Sequence, residues 1–231
     1  MEEIINVCNC EICLLRTLFF EHLGSDELGD LCSNKAERNY AKGEIIIKEG
    51  AEIKDFMYLK SGLVKIYKEE EGEERQIITL AQPHDFVCIF TIFSDTNYHY
   101  SIAAIEETTI CSVSLEKVKQ MIYQNGQFAF DLLQRISKAT DQIIKLRFDI
   151  SKKQLHGRIA YVLLYFADVI FKSNSFDLPI SRKEFSEFIG MSIENVIRTL
   201  SEFRKDKLII INGKNIEIIK KDLLQRICDA G

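Results

Sequence analysis

The sequence predicts an α+β protein with an N-terminal antiparallel β-roll (jelly-roll-like), a long dimerisation helix and a C-terminal winged helix-turn-helix. Three observations lead to this fold class. Short β-rich runs punctuated by glycine occupy residues 40–115. Apolar residues then recur at alternating spacings of three and four over 127–150. Finally, two short helical patterns that meet at Gly190 precede a hairpin signal.

The roll is predicted from strand-length runs that are separated by turn signals. These runs are Gly43 to Ile47, Phe56 to Leu59, Ser61 to Tyr67 and Arg75 to Leu80. No helix-length pattern lies between them, which is typical of an antiparallel barrel or jelly roll. Five glutamates around Gly72, from Glu69 to Glu74, indicate a solvated hairpin tip.

The long helix is predicted from a narrow apolar seam. Its members are Ala129, Leu132, Ile136, Ala139, Ile143, Leu146 and Ile150. A helix that only covers a core usually has a wider apolar stripe, and this alternative stays open. Because charged and polar residues crowd the remaining surface, the pattern favours a seam that pairs with a second copy. The candidate dimer interface consists of Leu132, Ile136, Ala139, Ile143, Leu146 and Ile150.

The winged helix-turn-helix is predicted from its caps and turns. Ser181 and Glu184 have capping-box spacing and begin a short helix that runs to Ile189. Gly190 supplies the permissive backbone of a tight turn, and Ser192 can cap a second helix from Ile193 to about Lys205. A hairpin is then expected around Asn212-Gly213, a strong two-residue turn signal.

Composition limits the class of protein. A chain of 231 residues with 46% hydrophobic content suits one large or two smaller domains, and we expect two. No apolar run reaches the roughly 18 residues that a membrane span needs, so no membrane partner is expected. The N-terminus has no basic residue before Arg16 and does not read as a signal peptide. We therefore expect a cytoplasmic protein with reduced cysteines.

Charge is distributed unevenly along the chain. The net charge is -5, yet residues 151–231 contain 14 Lys and Arg against 10 Asp and Glu. The C-terminal part is therefore positive, while the part before it is negative. A clamp on DNA needs only a local positive face, because phosphate contacts act within a screening length.

The second helix of the predicted helix-turn-helix carries the candidate base-reading residues. In this motif the N-terminal turns of the second helix enter the major groove. The DNA-binding candidates are Ser181, Arg182, Ser192, Glu194, Asn195, Ile197 and Arg198, whereas Val196, Leu200 and Phe203 form the opposite, buried stripe. Arginine matches the two acceptors of guanine, and glutamate accepts from the amino group of cytosine. Alternatively, Glu194 and Arg198 are an ordinary stabilising pair one helical turn apart.

At these residues the chain resembles the CRP/FNR family of transcription regulators over nearly its whole length. The resemblance is carried by Gly43-Glu44, Glu49-Gly50, Ser61-Gly62-Leu63-Val64-Lys65 and the recognition-helix stretch Ser192 to Arg198. It implies a homodimer that binds palindromic double-stranded DNA and contacts RNA polymerase, with Glu194 and Arg198 at base-reading positions. Cyclic-AMP receptors carry an arginine where this chain has Ile193, so the resemblance implies a TTGA-like half-site.

The effector pocket departs from that family pattern. Cyclic-AMP binders use a Gly-Glu-Leu run and a later Arg-Ser to hold the nucleotide. The candidate pocket residues here are Phe86, Cys88, Ile89, Phe90, Tyr100 and Ser101, with Tyr100-Ser101 in place of Arg-Ser. No cation and no carboxylate remain among them. We therefore expect a signal at the β-roll other than cyclic AMP.

The cysteines suggest a different signal. Cys8, Cys10 and Cys13, with the distant Cys111, resemble the layout of cluster-bearing oxygen sensors in this family. Four thiolates are what a [4Fe-4S] cluster requires, but the leader spacing is narrower than in the family. The alternatives are a reduced leader that binds nothing, an iron-sulfur cluster, and zinc or thiol redox sensing. Cys32, Cys88 and Cys228 have apolar neighbours and are expected to be packing residues.

Two other classes of function are alternatives to a DNA-binding regulator. A jelly-roll metal enzyme needs two histidines and a carboxylate, but the roll offers only His84 and His99, and no catalytic residue is predicted. A dimeric scaffold that does not bind DNA is the third class. The predicted organisation is a cysteine-containing leader (1–25), an effector-sensing β-roll (26–126), a dimerisation helix (127–150) and a winged helix-turn-helix DNA-binding domain (151–231).

Overall fold

The structure is a computed structural model of the chain, and it describes residues 23, 24, 27, 29, 31, 33, 35–69, 75–88 and 90–231. Most of the predicted leader, including Cys8, Cys10 and Cys13, therefore lies outside the described residues, as do Cys32, Ile89 and the glutamates of 70–74. The chain folds into two compact units. One unit comprises residues up to 69 together with 79–142, and the other comprises 70–78 and 143–231.

The strands of the roll form two antiparallel layers. They are β1 (Lys35–Tyr40), β2 (Ile45–Ile47), β3 (Asp55–Ser61), β4 (Val64–Lys68), β5 (Gln76–Ala81), β6 (Ser101–Ala104) and β7 (Thr108–Ser114). One sheet has the order β1-β7-β3 and the other has the order β2-β6-β4-β5. Neighbouring strands pair in antiparallel register, for example Glu37 with Cys111 and Lys65 with Ala103. The predicted antiparallel N-terminal sheets are confirmed.

Burial explains why these runs form sheets. In β3, Phe56, Tyr58 and Leu59 are at most 2% exposed, so this strand contributes large side chains to the core. Strand β6 lies between β2 and β4 and is buried along its whole length. Its sequence, Ser101 to Ala104, has small side chains at three of four positions, which lets the neighbouring layers approach it closely.

The roll is followed by helix α1 (Leu115–Gln124) and the long helix α2 (Gly126–Lys152). Three of the predicted interface residues on α2, Leu132, Leu146 and Ile150, are at most 6% exposed within the single chain. Ile136, Ala139 and Ile143 are half-buried. The large apolar side chains that α2 exposes are instead Phe130 (55%), Leu133 (59%), Ile144 (62%) and Phe148 (54%).

The sequence reading of the α2 seam was therefore incomplete, and the physical reason is geometric. At about 100° per residue, the four exposed side chains lie within about 60° of one another and roughly opposite Leu132 and Ile150. The regular seam thus covers the protein's own core at both ends, which was the alternative reading of that pattern. Among the described residues, no helix has the length and apolarity to cross a membrane.

The C-terminal unit has the predicted helix, turn, helix and hairpin. Its elements are α3 (Leu155–Tyr165), a π-helical turn (Phe166–Ile170), β8 (Ser175–Asp177), α4 (Arg182–Ile189), α5 (Ile193–Lys205), β9 (Ile209–Asn212), β10 (Asn215–Ile218) and α6 (Lys221–Ala230). The three strands form a sheet of order β8-β10-β9. Its core contains Phe166, Phe185 and Phe188, whose side chains are fully buried.

The wing hairpin differs by one residue from the predicted turn. Asn212 pairs with Asn215, so the two loop residues are Gly213 and Lys214 rather than Asn212 and Gly213. Gly213 has a φ of 62°, while Lys214 is not among the residues with positive φ. Glycine at the first central position is what a type II′ turn requires, and this turn suits the twist of a hairpin.

We expect two glycine substitutions in the roll to differ in cost. Gly43 and Gly62 have φ values of 84° and 91°, so alanine at either position should cost about 1 kcal/mol of strain. A Cβ at Gly62 would also lie 2.5 Å from the Glu107 carbonyl oxygen and 2.8 Å from the Thr108 Cα, whereas a Cβ at Gly43 meets nothing within 4 Å.

Gly62→Ala should therefore lower the free energy of unfolding by about 1–3 kcal/mol more than Gly43→Ala, because backbone must move to admit the methyl group. Denaturant unfolding of the two variants beside the parent measures the difference. Equal losses in the two variants would contradict the close approach at Gly62.

Candidate nucleic-acid interface

The first helix of the helix-turn-helix, α4, begins with a complete capping box. The Ser181 hydroxyl oxygen accepts a hydrogen bond from the Glu184 backbone N–H (3.2 Å). The Glu184 carboxylate in turn accepts from the Ser181 backbone N–H and from the Ser181 hydroxyl, both at 2.8 Å. Two backbone N–H groups at the start of the helix, which have no partner within it, are thereby hydrogen-bonded. This confirms the predicted cap.

The chain reverses between α4 and α5 through Gly190. Its φ and ψ of 66° and 48° are left-handed, and its N–H donates to the Ser186 carbonyl oxygen, closing α4. Two residues later Ser192 caps α5, because its hydroxyl oxygen accepts from the Asn195 N–H at 3.3 Å. Glycine populates this left-handed region without a side-chain clash, so the turn stays short.

Helix α5 presents one buried and one exposed face. Val196, Leu200 and Phe203 are at most 2% exposed, as the sequence predicted, and Thr199 is buried with them. On the other face Ser192, Glu194, Ile197 and Arg198 are exposed, while Asn195 is half-buried. The predicted base-reading residues thus project together from the first two turns of the helix, on the side away from the core.

Arg198 contacts different neighbours from those expected. Its Nη2 donates to the Asn195 side-chain oxygen at 3.0 Å, and its Nε lies 3.9 Å from a Glu202 carboxylate oxygen. Among the described residues, Glu194 has no ion-pair partner. The predicted Glu194–Arg198 pair is therefore absent. Positions three residues before and four residues after Arg198 are both helix neighbours, and the side chain reaches those instead.

The Glu202 carboxylate also binds a residue outside the helix-turn-helix. His156, near the start of α3, has its Nε2 2.8 Å from the other Glu202 oxygen. No local pattern in the sequence predicts this contact, because the two residues are 46 positions apart and meet only when α3 packs against α5.

The two candidates at the start of α4 have different surroundings. The Ser181 hydroxyl is committed to the capping box but exposed. Arg182 is half-buried, and its Nη1 has no hydrogen-bond partner among the described residues. Burial lowers the pKa of Arg182 from its usual value, although arginine stays protonated at any physiological pH.

Two of the candidate effector residues that the structure describes are in contact within the roll. Phe90 and Tyr100 are in edge-to-face contact (5.2 Å between centroids), and the Tyr100 hydroxyl oxygen accepts from the Phe90 N–H. Phe86 packs on Phe56 in the same way (5.0 Å). The Ser101 hydroxyl accepts from the Glu49 N–H at 3.0 Å and is thus already used. The cluster is aromatic and brings no positive charge to a phosphate.

Cys111 lies in the middle of a sheet. It is on β7, paired with Glu37 on one side and Tyr58 on the other, and it is fully buried. Burial, reinforced by the Glu37 carboxylate, raises the pKa of the Cys111 thiol to about 12. Among the described residues, no group of three or more His, Cys, Asp or Glu is arranged to hold a metal ion. Because Cys8, Cys10 and Cys13 lie outside the described residues, the four-cysteine cluster stays a prediction from the sequence.

Comparisons with known proteins agree with both halves of this architecture. A model of the cyclic nucleotide-binding domain matches residues 37–125, and a model of the Crp-like helix-turn-helix domain matches residues 157–227. The transcriptional activator protein Anr of Pseudomonas protegens is 27% identical over 225 residues, covering 95% of this chain and 89% of Anr. The chain belongs to the CRP/FNR family.

Two further proteins are similar to this CRP/FNR member over most of its length. The fumarate and nitrate reduction regulatory protein of Escherichia coli is 25% identical over 229 residues, covering 95% of this chain and 90% of that protein. FixK2 from Bradyrhizobium japonicum shares the fold, with a TM-score of 0.74 at 22% identity over 84% of this chain and 96% of FixK2.

The family decides the class of function. This CRP/FNR protein is a DNA-binding transcription regulator and not an enzyme, because the relatives that match it along nearly its whole length are transcription regulators. The match to the cyclic nucleotide-binding domain describes the fold of the roll. It does not supply the missing charge at Tyr100 and Ser101.

The burial of two cysteines in this CRP/FNR regulator predicts their reactivity. Burial raises the pKa of both Cys88 and Cys111 to about 12, so both are protonated thiols at about pH 8. Because the thiolate is the nucleophile, iodoacetamide should leave both residues unmodified in the native protein and modify them after unfolding in guanidinium. Peptide mapping by mass spectrometry measures this. Rapid labelling of Cys111 in the folded protein would show that the thiol is accessible.

Proposed function

We propose that the protein is a homodimer that reads a palindromic, TTGA-like site through the exposed face of α5 and responds to a signal at the β-roll other than cyclic AMP. The observation that carries this proposal is the shared exposure of Glu194, Ile197 and Arg198 on the N-terminal half of α5. Ser181, Arg182, Ser192 and Asn195 surround that face and complete the proposed DNA-binding set.

Each exposed side chain of α5 suits a feature of the major groove. The Arg198 guanidinium can donate two hydrogen bonds to guanine, and the Glu194 carboxylate can accept from the cytosine amino group. Ile197, which is 50% exposed, is apolar and suits a thymine methyl group. These three preferences are compatible with a half-site that contains both T·A and G·C pairs.

The contacts of Arg198 in the free protein do not oppose this role. Its ion pair with Glu202 is long, and both side chains are well exposed, at 65% and 44%. Exposed pairs of this kind stabilise by about 0–1 kcal/mol, less than the roughly 1–3 kcal/mol that a bidentate contact with guanine contributes to discrimination. Arg198 can therefore exchange Glu202 for a base at a net gain.

The dimer is proposed to form along the exposed face of α2. Phe130, Leu133, Ile144 and Phe148 lie on that face, and the half-buried Ile136 and Ile143 lie at its border. Large apolar side chains on one exposed stripe are stabilised when a second helix covers them. The same stripe on both copies gives a two-fold interface, which matches a palindromic site.

The same proposal includes the partner, the cellular location and the signal of the protein. A regulator of this family is proposed to contact RNA polymerase and, because it reads chromosomal DNA, to act in the cytoplasm. Its signal is proposed to act through the roll. The alternative signal is an iron-sulfur cluster on Cys8, Cys10, Cys13 and Cys111, as the resemblance of their layout implies.

Arg198→Ala tests the reading of bases. If Arg198 binds guanine, the variant should lose about 1–3 kcal/mol per half-site and relax its preference chiefly at one base pair, because only that pair presents the matching acceptors. Binding of the parent and variant to a palindrome and to its single-base variants at fixed salt measures this.

Arg204→Ala provides the control, because Arg204 is an exposed arginine in the last turn of the same helix. A phosphate contact there should weaken binding to all sequences equally. If Arg198→Ala keeps the base preference of the parent, Arg198 does not read bases, even when total affinity falls.

Leu133→Asp tests the dimer face. A carboxylate at this position would be desolvated against the second copy, but Leu133 is 59% exposed in the single chain, so the fold should tolerate the change. The variant should be monomeric at micromolar concentration by light scattering, with an unchanged circular dichroism spectrum. Gln134→Asp, at an exposed neighbouring position, should remain dimeric. A dimeric Leu133→Asp would place the interface elsewhere.

A further inference from the structure

Arg158 of α3 connects the ends of two other helices. Its Nε donates to the Lys153 carbonyl oxygen (2.7 Å) and its Nη2 donates to the Ser151 carbonyl oxygen (3.1 Å), where α2 ends. Its Nη1 donates to the Ile189 carbonyl oxygen (2.9 Å), which is the last residue of α4. A Cβ at Gly190 would lie 3.8 Å from the same Nη1, so the guanidinium sits beside the turn of the helix-turn-helix.

Arg147 makes a second connection to the same end of α4. This residue lies near the end of α2, and its Nη1 donates to the Phe188 carbonyl oxygen at 2.7 Å and to the Ile77 carbonyl oxygen at 3.2 Å. Burial and the nearby positive charge of Arg158 lower the pKa of Arg147 from its usual value. The two guanidiniums therefore lie close together between the ends of α2 and α4, despite their like charge.

Helix geometry explains why two cations are stable at this place. The last four carbonyl groups of a helix have no partner within the helix, and that end carries a partial negative charge. The carbonyls of Ser151 and of Phe188 and Ile189 are such groups, at the ends of α2 and α4. A planar guanidinium with five donors can bond carbonyls that point in different directions, which the single ammonium of lysine cannot reproduce.

The contacts link the helix proposed for dimerisation with the helix-turn-helix. Gly190 follows Ile189 directly, and α5 begins at Ile193. Any rotation of α4 about the end of α2 would break the bonds to Phe188 and Ile189 and would carry α5 with it. All of the bonded residues belong to the unit of residues 70–78 and 143–231, including Ile77, which lies on β5.

We propose that Arg147 and Arg158 are positioning residues that hold α5 at a fixed angle to the end of α2 and thereby set the half-site spacing that the dimer accepts. The inference rests on the proposed function, because it requires a dimer that binds two half-sites at once. The distance between two recognition helices must match the separation of successive major grooves, so an angular error on each side changes the spacing that fits.

The test measures spacing preference rather than affinity alone. Parent protein, Arg158→Lys and Arg147→Lys are titrated with palindromes whose central spacer varies by one base pair at a time, and with a DNA that contains a single half-site. Arg226→Lys serves as the matched control, because Arg226 is an exposed arginine on α6 in the same unit. A thermal melt of each variant reports the fold.

The parent should prefer one spacer by about tenfold or more over its neighbours, because a misplaced half-site loses its base contacts. Arg158→Lys should lower affinity for the best palindrome by about tenfold, corresponding to the loss of a charge-assisted hydrogen bond, and should reduce the preference among spacers to about threefold or less. Arg147→Lys should act in the same direction but less strongly. Binding to the single half-site, its base preference and the behaviour of Arg226→Lys should match the parent.

The outcomes separate the two proposals. If the parent binds no palindrome better than random DNA, the proposed function fails. If the parent selects a spacer and Arg158→Lys selects it equally well, with only a lower melting temperature, the arginines are structural and the inference is overturned. Should Arg158→Lys fail to fold, Arg147→Lys decides by the same comparison, since it removes contacts with Phe188 and Ile77 and leaves those of Arg158.

Discussion

The proposed recognition surface depends on one backbone reversal at Gly190. The left-handed conformation of this residue ends α4 and lets α5 begin at Ile193, after a single capping residue. Because the turn is so short, the buried stripe of α5 must pack against α4 and α3, and the opposite stripe must face outward. The exposure of Glu194 and Arg198 is therefore a consequence of how Val196, Leu200 and Phe203 are buried.

The arginines of this unit differ in how strongly their side chains are bonded. Arg198 on the exposed face holds only weak, solvated partners, Asn195 and Glu202, so it remains available to a ligand. Arg147 and Arg158 are half-buried and bonded to backbone carbonyls, and partly buried bonds are screened by salt less than exposed ones. In the proposed function, arginine thus has two tasks in this unit: the exposed Arg198 reads DNA bases, and the half-buried Arg147 and Arg158 hold helices.

Helix α2 has two apolar faces with different surroundings. Leu132, Leu146 and Ile150 complete the core of the chain, while Phe130, Leu133, Ile144 and Phe148 face outward. A regular apolar repeat cannot show which face the rest of the chain covers, because both stripes follow from helix periodicity. The more regular seam is thus largely buried within the single chain, and the interface between two copies stays a proposal.

The sequence by itself determined the elements and most of their local signals. Strand runs, the capping box of Ser181 and Glu184, the turn at Gly190 and the buried stripe of α5 all follow from spacings of a few residues, and local chemistry is enough to specify them. The wing turn was displaced by one position, because Asn212-Gly213 and Gly213-Lys214 both contain an acceptable turn residue and strand pairing chooses between them.

Tertiary structure alone decided which face of α2 is free, that Cys111 is buried, and which partners Arg198, His156, Arg147 and Arg158 find. Arg158 and Ile189 are 31 residues apart, and Arg147 and Phe188 are 41 apart, so no local pattern records these bonds. Their partners are backbone carbonyls, which every residue carries, and only the packing of the helices selects which carbonyls are within reach.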